Sequence, residues 1–258
     1  MPGKTLKNKP LIEAILEVKW ALTSPIAGVQ TDPHYKILLG RLYDKVREDY
    51  PEHEQLPTAS MPDEIAGGMV QHRFRHAVND WPLLQVGPGI FTLNDTHKYT
   101  WPDFRCRAIK AITKLFEAYP KPDTLKVINL LLRYIDAVEF DYMKEDIFLF
   151  LKDKMKVIAL LPNNLFTDNE IQNIPKHFNW QSTFVCRHPP GTVTVRFATG
   201  QKEGKPCLLW ETMVQSDGSE VPQMPRDFEQ WIVSAHNITD DWFFKIIEGE
   251  LERRFNGE

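Results

Sequence analysis

Cysteine is scarce in this 258-residue chain: Cys106, Cys186 and Cys207 are its three, and no two form a CxxC pair. That spacing excludes a zinc ribbon and a thioredoxin-type centre, and an odd, sparse count fits a reducing compartment. No Walker A loop, GxGxxG, GxSxG, HExxH or EF-hand loop occurs, so the enzyme classes most readable from short motifs are missing. No apolar run approaches the ~18 residues that a membrane span needs. The opening MPGKTLKNKPLIEAILEVKW places lysines before apolar residues, but Glu13, Glu17 and Lys19 interrupt it and no small-residue cleavage site follows. Charge bias is absent too: 31 Lys and Arg stand against 35 Asp and Glu, a net −4, which speaks against a protein that coats nucleic acid or membrane wholesale. These absences predict a soluble cytoplasmic protein with no membrane contact.

What is present is ordinary globular material, 42% hydrophobic and 26% charged, with ample apolar residues for a core. EAILEVKW alternates, with Ala14, Leu16, Val18 and Trp20 on one side, as a half-buried strand does. DPHYKILLGRLYDKVREDYP reads as a helix, with Asp32 to cap it, Pro33 in the first turn and a stripe of Ile37, Leu38, Leu42 and Val46. Residues 51–68, rich in proline, acids and glycine, read as an exposed loop. MVQHRFRHAV and LLQVGPGIFTLND read as strands, and WPDFRCRAIKAITKLFEAY as a second helix.

The plan then recurs. KVINLLLRYIDAVEF is a long strand, KEDIFLFLKDKM a short helix, and residues 157–180 an irregular connection. QSTFVCRH, TVTVRFATG and KPCLLWETMVQS are strands, and one helical stretch covers 226–255. Each half reads strand, helix, strands, helix. The expected fold is α+β: a single protein of two pseudo-repeats, 8–122 and 123–258, with helices on one face of a mostly antiparallel sheet. The other face is then solvated, paired with a partner or used for a ligand.

Several residues are candidates for chemistry. His236 and Asp240, in SAHNITDDWFFKII, are four apart on one helix face, where a carboxylate can orient an imidazole for base catalysis. The competing explanation is structural: His236 borders an apolar seam of Trp231, Ile232, Ala235, Ile238 and Trp242 and satisfies one local hydrogen bond. Cys186 and His188 share a strand face, which allows a Cys–His contact, although a structural cysteine is the default. His72 and His76 in HRFRH would be about 13 Å apart on a strand, too far for one metal. GPG at 87–89 continues into strand, so it reads as a hairpin turn and not a phosphate cradle. No metal and no cofactor are implied.

Arg73, Arg75, Arg133, Arg187 and Arg196 all fall in predicted strands. If their faces coincide, they form a basic platform for phosphate or a nucleic-acid backbone, with Trp180, Trp210 and Tyr134 as stacking surfaces. Cross-strand pairing with Glu13, Glu17, Glu139 and Glu211 is the favoured alternative. The polar run PNNLFTDNE suits a partner contact or an ordinary loop.

Four stretches, KPLIEAILEVKW, LLQVGPGIFTLND with KYTWPDFR, LRYIDAVEF and AHNITDDWFFKII, occur in an order that resembles a sporadically distributed prokaryotic protein family of unknown function. The resemblance spans nearly the whole chain. Asp136 departs from it, standing where that family carries Asn. The resemblance implies a shared fold and a cytoplasmic setting and supplies no catalytic residue; the sporadic distribution suggests an accessory role in defence or toxin neutralisation. The leading expectation is therefore a non-catalytic binding or interaction protein with a possible protein partner and room for a homo-oligomer. Phosphate or nucleic-acid binding through the arginines, and a hydrolase with a scattered site, are the alternatives.

Overall fold

The computed structural model describes residues 5–24, 28–62, 65–96, 98–167 and 171–258. Its nine strands are β1 (Leu11–Trp20), β2 (Glu52–Gln55), β3 (His72–Arg75), β4 (Leu83–Gly87), β5 (Ile90–Asp95), β6 (Val127–Glu139), β7 (Asn179–Arg187), β8 (Pro190–Lys202) and β9 (Lys205–Asp217). They form one antiparallel sheet in the order β2-β3-β4-β5-β1-β6-β9-β8-β7. The helices are α1 (Tyr35–Val46), α2 (Trp101–Ala118), α3 (Ile147–Met155), α4 (Phe228–Ile247) and α5 (Glu250–Asn256). The fold is α+β with a mostly antiparallel sheet, as the patterning predicts.

Period-two alternation decides which side of the sheet the helices cover. Ala14, Leu16, Val18 and Trp20 are buried, and their cross-strand partners carry the same face through Leu93, Phe91, Leu132 and Leu130. The stripes of α1 (Leu38, Leu42, Val46), α2 (Phe104, Ala108, Ile112, Leu115) and α4 (Phe228, Trp231, Ile232, Ala235) pack on that face as one cluster. A second cluster joins α3 and α5 to Val138, Val195, Phe197, Leu208 and Trp210. All five helices thus lie on one side. On the other side Ile15, Leu131, Ile135 and Met213 are partly exposed among polar residues.

Topology treats the halves alike. Each half's first strand sits beside its last, β1 by β5 and β6 by β9, and the remaining strands step outward. β1 and β6 pair antiparallel in the middle. Several local expectations are revised. Residues 52–55 are not loop but the edge strand β2, fixed by pairing with β3. The strand predicted over MVQHRFRHAV shrinks to His72–Arg75. The predicted C-terminal helix is two, broken at Glu248–Gly249, where Gly249 adopts φ 106°, a left-handed conformation that ordinary side chains resist.

Burial separates two neighbouring residues of β1 sharply. Leu16→Ala is expected to cost about 2–5 kcal/mol in urea unfolding, because Leu16 is fully buried between the sheet and the helices. Ile15→Ala, on the uncovered face, is expected to cost under about 1 kcal/mol; equal losses would contradict the one-sided core.

Candidate functional site

A cavity of about 330 Å³ opens in the helix layer where the two halves meet. Its floor is sheet: Leu11, Tyr134, Asp136 and Thr212. One wall is the start of α2 with Tyr99, Thr100, Trp101 and Pro102, and another is the face of α4 that carries His236, Thr239, Asp240 and Phe243. Those four helix positions follow the i, i+3, i+4, i+7 spacing of a single face. The N-terminal segment closes the remaining side with Leu6, Lys9 and Pro10. It is held there by backbone bonds from Asn8 to Phe255 and from Ala137 to Pro10.

The β6 pattern explains the polar floor. Leu130, Leu132, Tyr134, Asp136 and Val138 alternate onto the helix-covered face, so Asp136 takes a core position, 2% exposed. Across from it, β1 has a bulge between Leu11 and Glu13, a device that lets a strand shift its register beside an irregular site. Asp136 Oδ2 and Thr212 Oγ1 are both buried, and neither has a hydrogen-bond partner among the described residues. Burial pushes the Asp136 carboxyl up to about 8, so it holds its proton at neutral pH.

Above the floor runs a hydroxyl–imidazole chain. The Tyr99 and Tyr134 hydroxyls are 2.8 Å apart, and Tyr134 Oη is 3.0 Å from His236 Nδ1. The imidazole lies flat on Trp101, with ring centroids 3.7 Å apart and planes 17° from parallel. Burial drives His236 down to about 4, keeping it neutral at pH 7. The tautomer of the neutral imidazole decides which of Tyr134 Oη and His236 Nδ1 donates in this bond. Burial also raises both phenols, and Asp240 is raised by its own burial and then by Asp241. Lys9 Nζ donates to the Tyr99 carbonyl at 2.6 Å.

The structure therefore brings His236 and Asp240 to one pocket, as their spacing predicts, but the imidazole bonds a tyrosine and not a carboxylate. The expectation that His236 only seats its helix is revised: it helps to line a cavity in acidic company. Cys186 and His188 stay apart from this site. Cys186 packs toward the core from the edge strand β7, His188 is exposed, and no hydrogen bond joins them among the described residues.

All five strand arginines do share a face, the one without helices. Register places Arg73 and Arg75 opposite Gln85 and Leu83, Arg133 opposite Met213, Arg196 opposite Glu211, and Arg187 at the end of the outermost strand. Carboxylates meet four of them. Glu54 forms ion pairs with Arg73 and Arg75 at 3.6 and 3.3 Å, and Glu211 with Arg133 and Arg196 at 2.6 and 2.9 Å. Trp180, Trp210 and Tyr134 lie on the opposite, helix-covered face, so they cannot stack beside the arginines. Of the expected glutamate partners only Glu211 serves: Glu13 accepts from Asn94, Glu17 pairs with Lys19, and Glu139 pairs with Arg254.

His72 faces the helices and lies 2.9 Å from His53, while His76 falls outside the strand. Among the described residues no group of three or more His, Cys, Asp or Glu is arranged to hold a metal, and no helix is long and apolar enough to cross a membrane. The polar run PNNLFTDNE extends into 168–170, which lie outside the described residues. No protein-family model, curated protein or solved structure matches the chain.

Tyr99, Trp101 and Thr212 are site residues that the sequence does not single out; Tyr134 stands out there only as a stacking surface beside the arginines, and Asp136 only as a departure from the resemblance. A signal existed: Tyr134 and Asp136 interrupt apolar residues on the buried phase of β6, and Thr212 does so between Trp210 and Val214 on β9.

The two titrations oppose each other. The lowered His236 pKa gives stability that is complete above about 6.5 and lost as pH falls toward 4. The raised Asp136 pKa gives the reverse: stability falls as pH rises from the ordinary carboxyl value of 3.8 to about 8. Asp136→Asn, which cannot ionise, is therefore expected to be more stable than the parent at pH 9 by roughly 1–3 kcal/mol in urea unfolding, with the gain shrinking toward pH 4. A gain that grows as pH falls would reverse the assignment.

Proposed function

We infer that the protein is a non-catalytic small-molecule-binding protein whose site is the pocket between α2, α4 and the sheet. The carrying observation is a pair of buried oxygens on pocket-lining residues, Asp136 Oδ2 and Thr212 Oγ1, that find no hydrogen-bond partner among the described residues. A buried polar group without a partner costs about 1–3 kcal/mol, and a ligand or ordered water that supplies the missing bond offsets it. The cavity volume lies at the lower end of the range for small-ligand sites, roughly 300–1,000 Å³. Aromatic side chains with a few convergent polar groups are the usual lining of such sites.

A hydrolytic role has less support. An imidazole lowered to about 4 is a weak base at neutral pH, and of the pocket's hydroxyls that of Thr239 is spent on the Ala235 and His236 carbonyls. Polyanion binding on the uncovered sheet face is the second reading. One observation favours it: all five arginines share that face, and no ion pair of Arg187 occurs among the described residues. Two buffering glutamates weaken it, since charge already paired attracts phosphate poorly. Equivalent strand order in the halves supports reading them as a duplicated unit, with the pocket at their junction.

Fragment soaking of crystals tests the main reading, with ordered fragments expected against Trp101 and Asp136. Fragments that bind only elsewhere on the surface would remove it. Thr212→Val separates ligand contact from structure. It deletes a hydroxyl without a partner, so unfolding free energy is expected to stay within about 0.5 kcal/mol of the parent or to rise, while fragment affinity drops.

A further inference from the structure

Because the pocket is read as a ligand site, its chemistry can be asked to name the ligand. We propose that it takes an organic ammonium ion, with the charged nitrogen on the Asp136 carboxylate and an apolar body against the aromatic walls. The inference rests on the small-molecule reading above and goes further by fixing charge.

Three features of the lining agree. The first is the balance of charge and hydrogen-bonding capacity. Asp136 and Asp240 bring two carboxyl groups, and Asp136 Oδ2 and Thr212 Oγ1 have acceptor capacity that no described residue uses. The one lysine among the described lining residues, Lys9, directs one N–H to the Tyr99 carbonyl. His236 adds no positive charge, since burial keeps it neutral and Nδ1 faces the Tyr134 hydroxyl. Among the described residues the lining sets two carboxyl groups against the single ammonium of Lys9.

The second feature is aromatic. Tyr99, Trp101, Tyr134 and Phe243 line the cavity, and the negative faces of such rings attract cations by about 0.5–2 kcal/mol each where water is excluded. The third concerns the start of α2, a helix end of the kind that can favour an anion. Pro102 occupies its first turn and has no N–H to offer, and Asp103 adds an acid there. That helix end is a poor anion cradle.

Pairing with an ammonium ion also offsets the cost that keeps the buried Asp136 protonated. Binding near pH 7 is then accompanied by loss of the Asp136 proton to solvent. The other titratable groups facing the pocket are Lys9, Tyr99, Tyr134, His236 and Asp240, with Asp95 near Tyr99. The phenols stay protonated and the imidazole stays neutral through this range, so a released proton comes from Asp136 or Asp240.

The experiment compares 2-phenylethylamine, 2-phenylethanol and 3-phenylpropionate, which share a phenyl ring and differ in charge. Titration calorimetry of the full chain at pH 7 would use two buffers of different ionisation enthalpy. The amine is expected to bind about tenfold or more tightly than the alcohol, the carboxylate least, and the amine to release a proton. Asp136→Asn is expected to abolish the preference for the amine while leaving the alcohol within about threefold, and Asp240→Asn to weaken the amine less. Should Asp136→Asn fail to fold, proton release that persists in Asp240→Asn still reads the pairing with Asp136. Alcohol or carboxylate binding in the pocket as well as the amine would overturn the ammonium assignment and leave the ligand-pocket reading intact. Amine binding with no proton release and no effect of Asp136→Asn would overturn it too. No binding by any of the three, with fragments still found in the cavity, would do the same; no binding and no fragments would end both.

Discussion

The pairing of β1 with β6 joins the two half-sheets edge to edge, and every helix packs on the surface that this pairing makes continuous. Without it each half would expose its central strand as an unpaired edge, a condition that folded proteins avoid. Joining the halves also brings α2 and α4 to the same stretch of sheet. Helices cannot tile a sheet without gaps where their axes diverge. The gap here falls over Tyr134, Asp136 and Thr212, polar residues on a largely apolar face.

Polar groups at such a gap bring opposing electrostatic costs. Asp136 resists ionisation as pH rises, and His236 resists protonation as pH falls. Between roughly pH 4 and 6.5 their contributions to the pH dependence of stability cancel, since the native state holds one proton more at Asp136 and one fewer at His236 than the unfolded chain. The tyrosine pair links the two regions, from the loop before α2 through β6 to α4. A cavity lined in this way is held open by well-packed aromatic side chains, which favours a binding site that needs little rearrangement.

The uncovered face works by different physics. Its arginines and glutamates lie at the positions where sheets carry cross-strand ion pairs; the pairs of the exposed Glu54 contribute only about 0–1 kcal/mol each, whereas Glu211 is buried between Arg133 and Arg196. The network from Arg73 through Gln85 and Asn94 to Glu13 orders the polar side chains along the sheet. Ile15, Leu131, Ile135 and Met213 lie between this network and the Arg133–Glu211–Arg196 group.

Alternation and helical stripes in the sequence determined the element types, the inward set of β1, the single helix-covered face and the shared face of His236 with Asp240, because those depend on local periodicity. Edge strand β2 was illegible, since EHEQ has no apolar alternation and exists as strand only through pairing with β3. Tertiary structure alone decided the site. Tyr99, Trp101, Tyr134, Asp136, Thr212 and His236 come from the loop before α2, α2 itself, β6, β9 and α4, far apart in the chain. No spacing rule can foresee which of several polar interruptions on a buried face will converge, because that follows from sheet order and helix placement. The same holds for the arginines: their phase on each strand is local, but whether a glutamate stands opposite is a matter of register between distant strands.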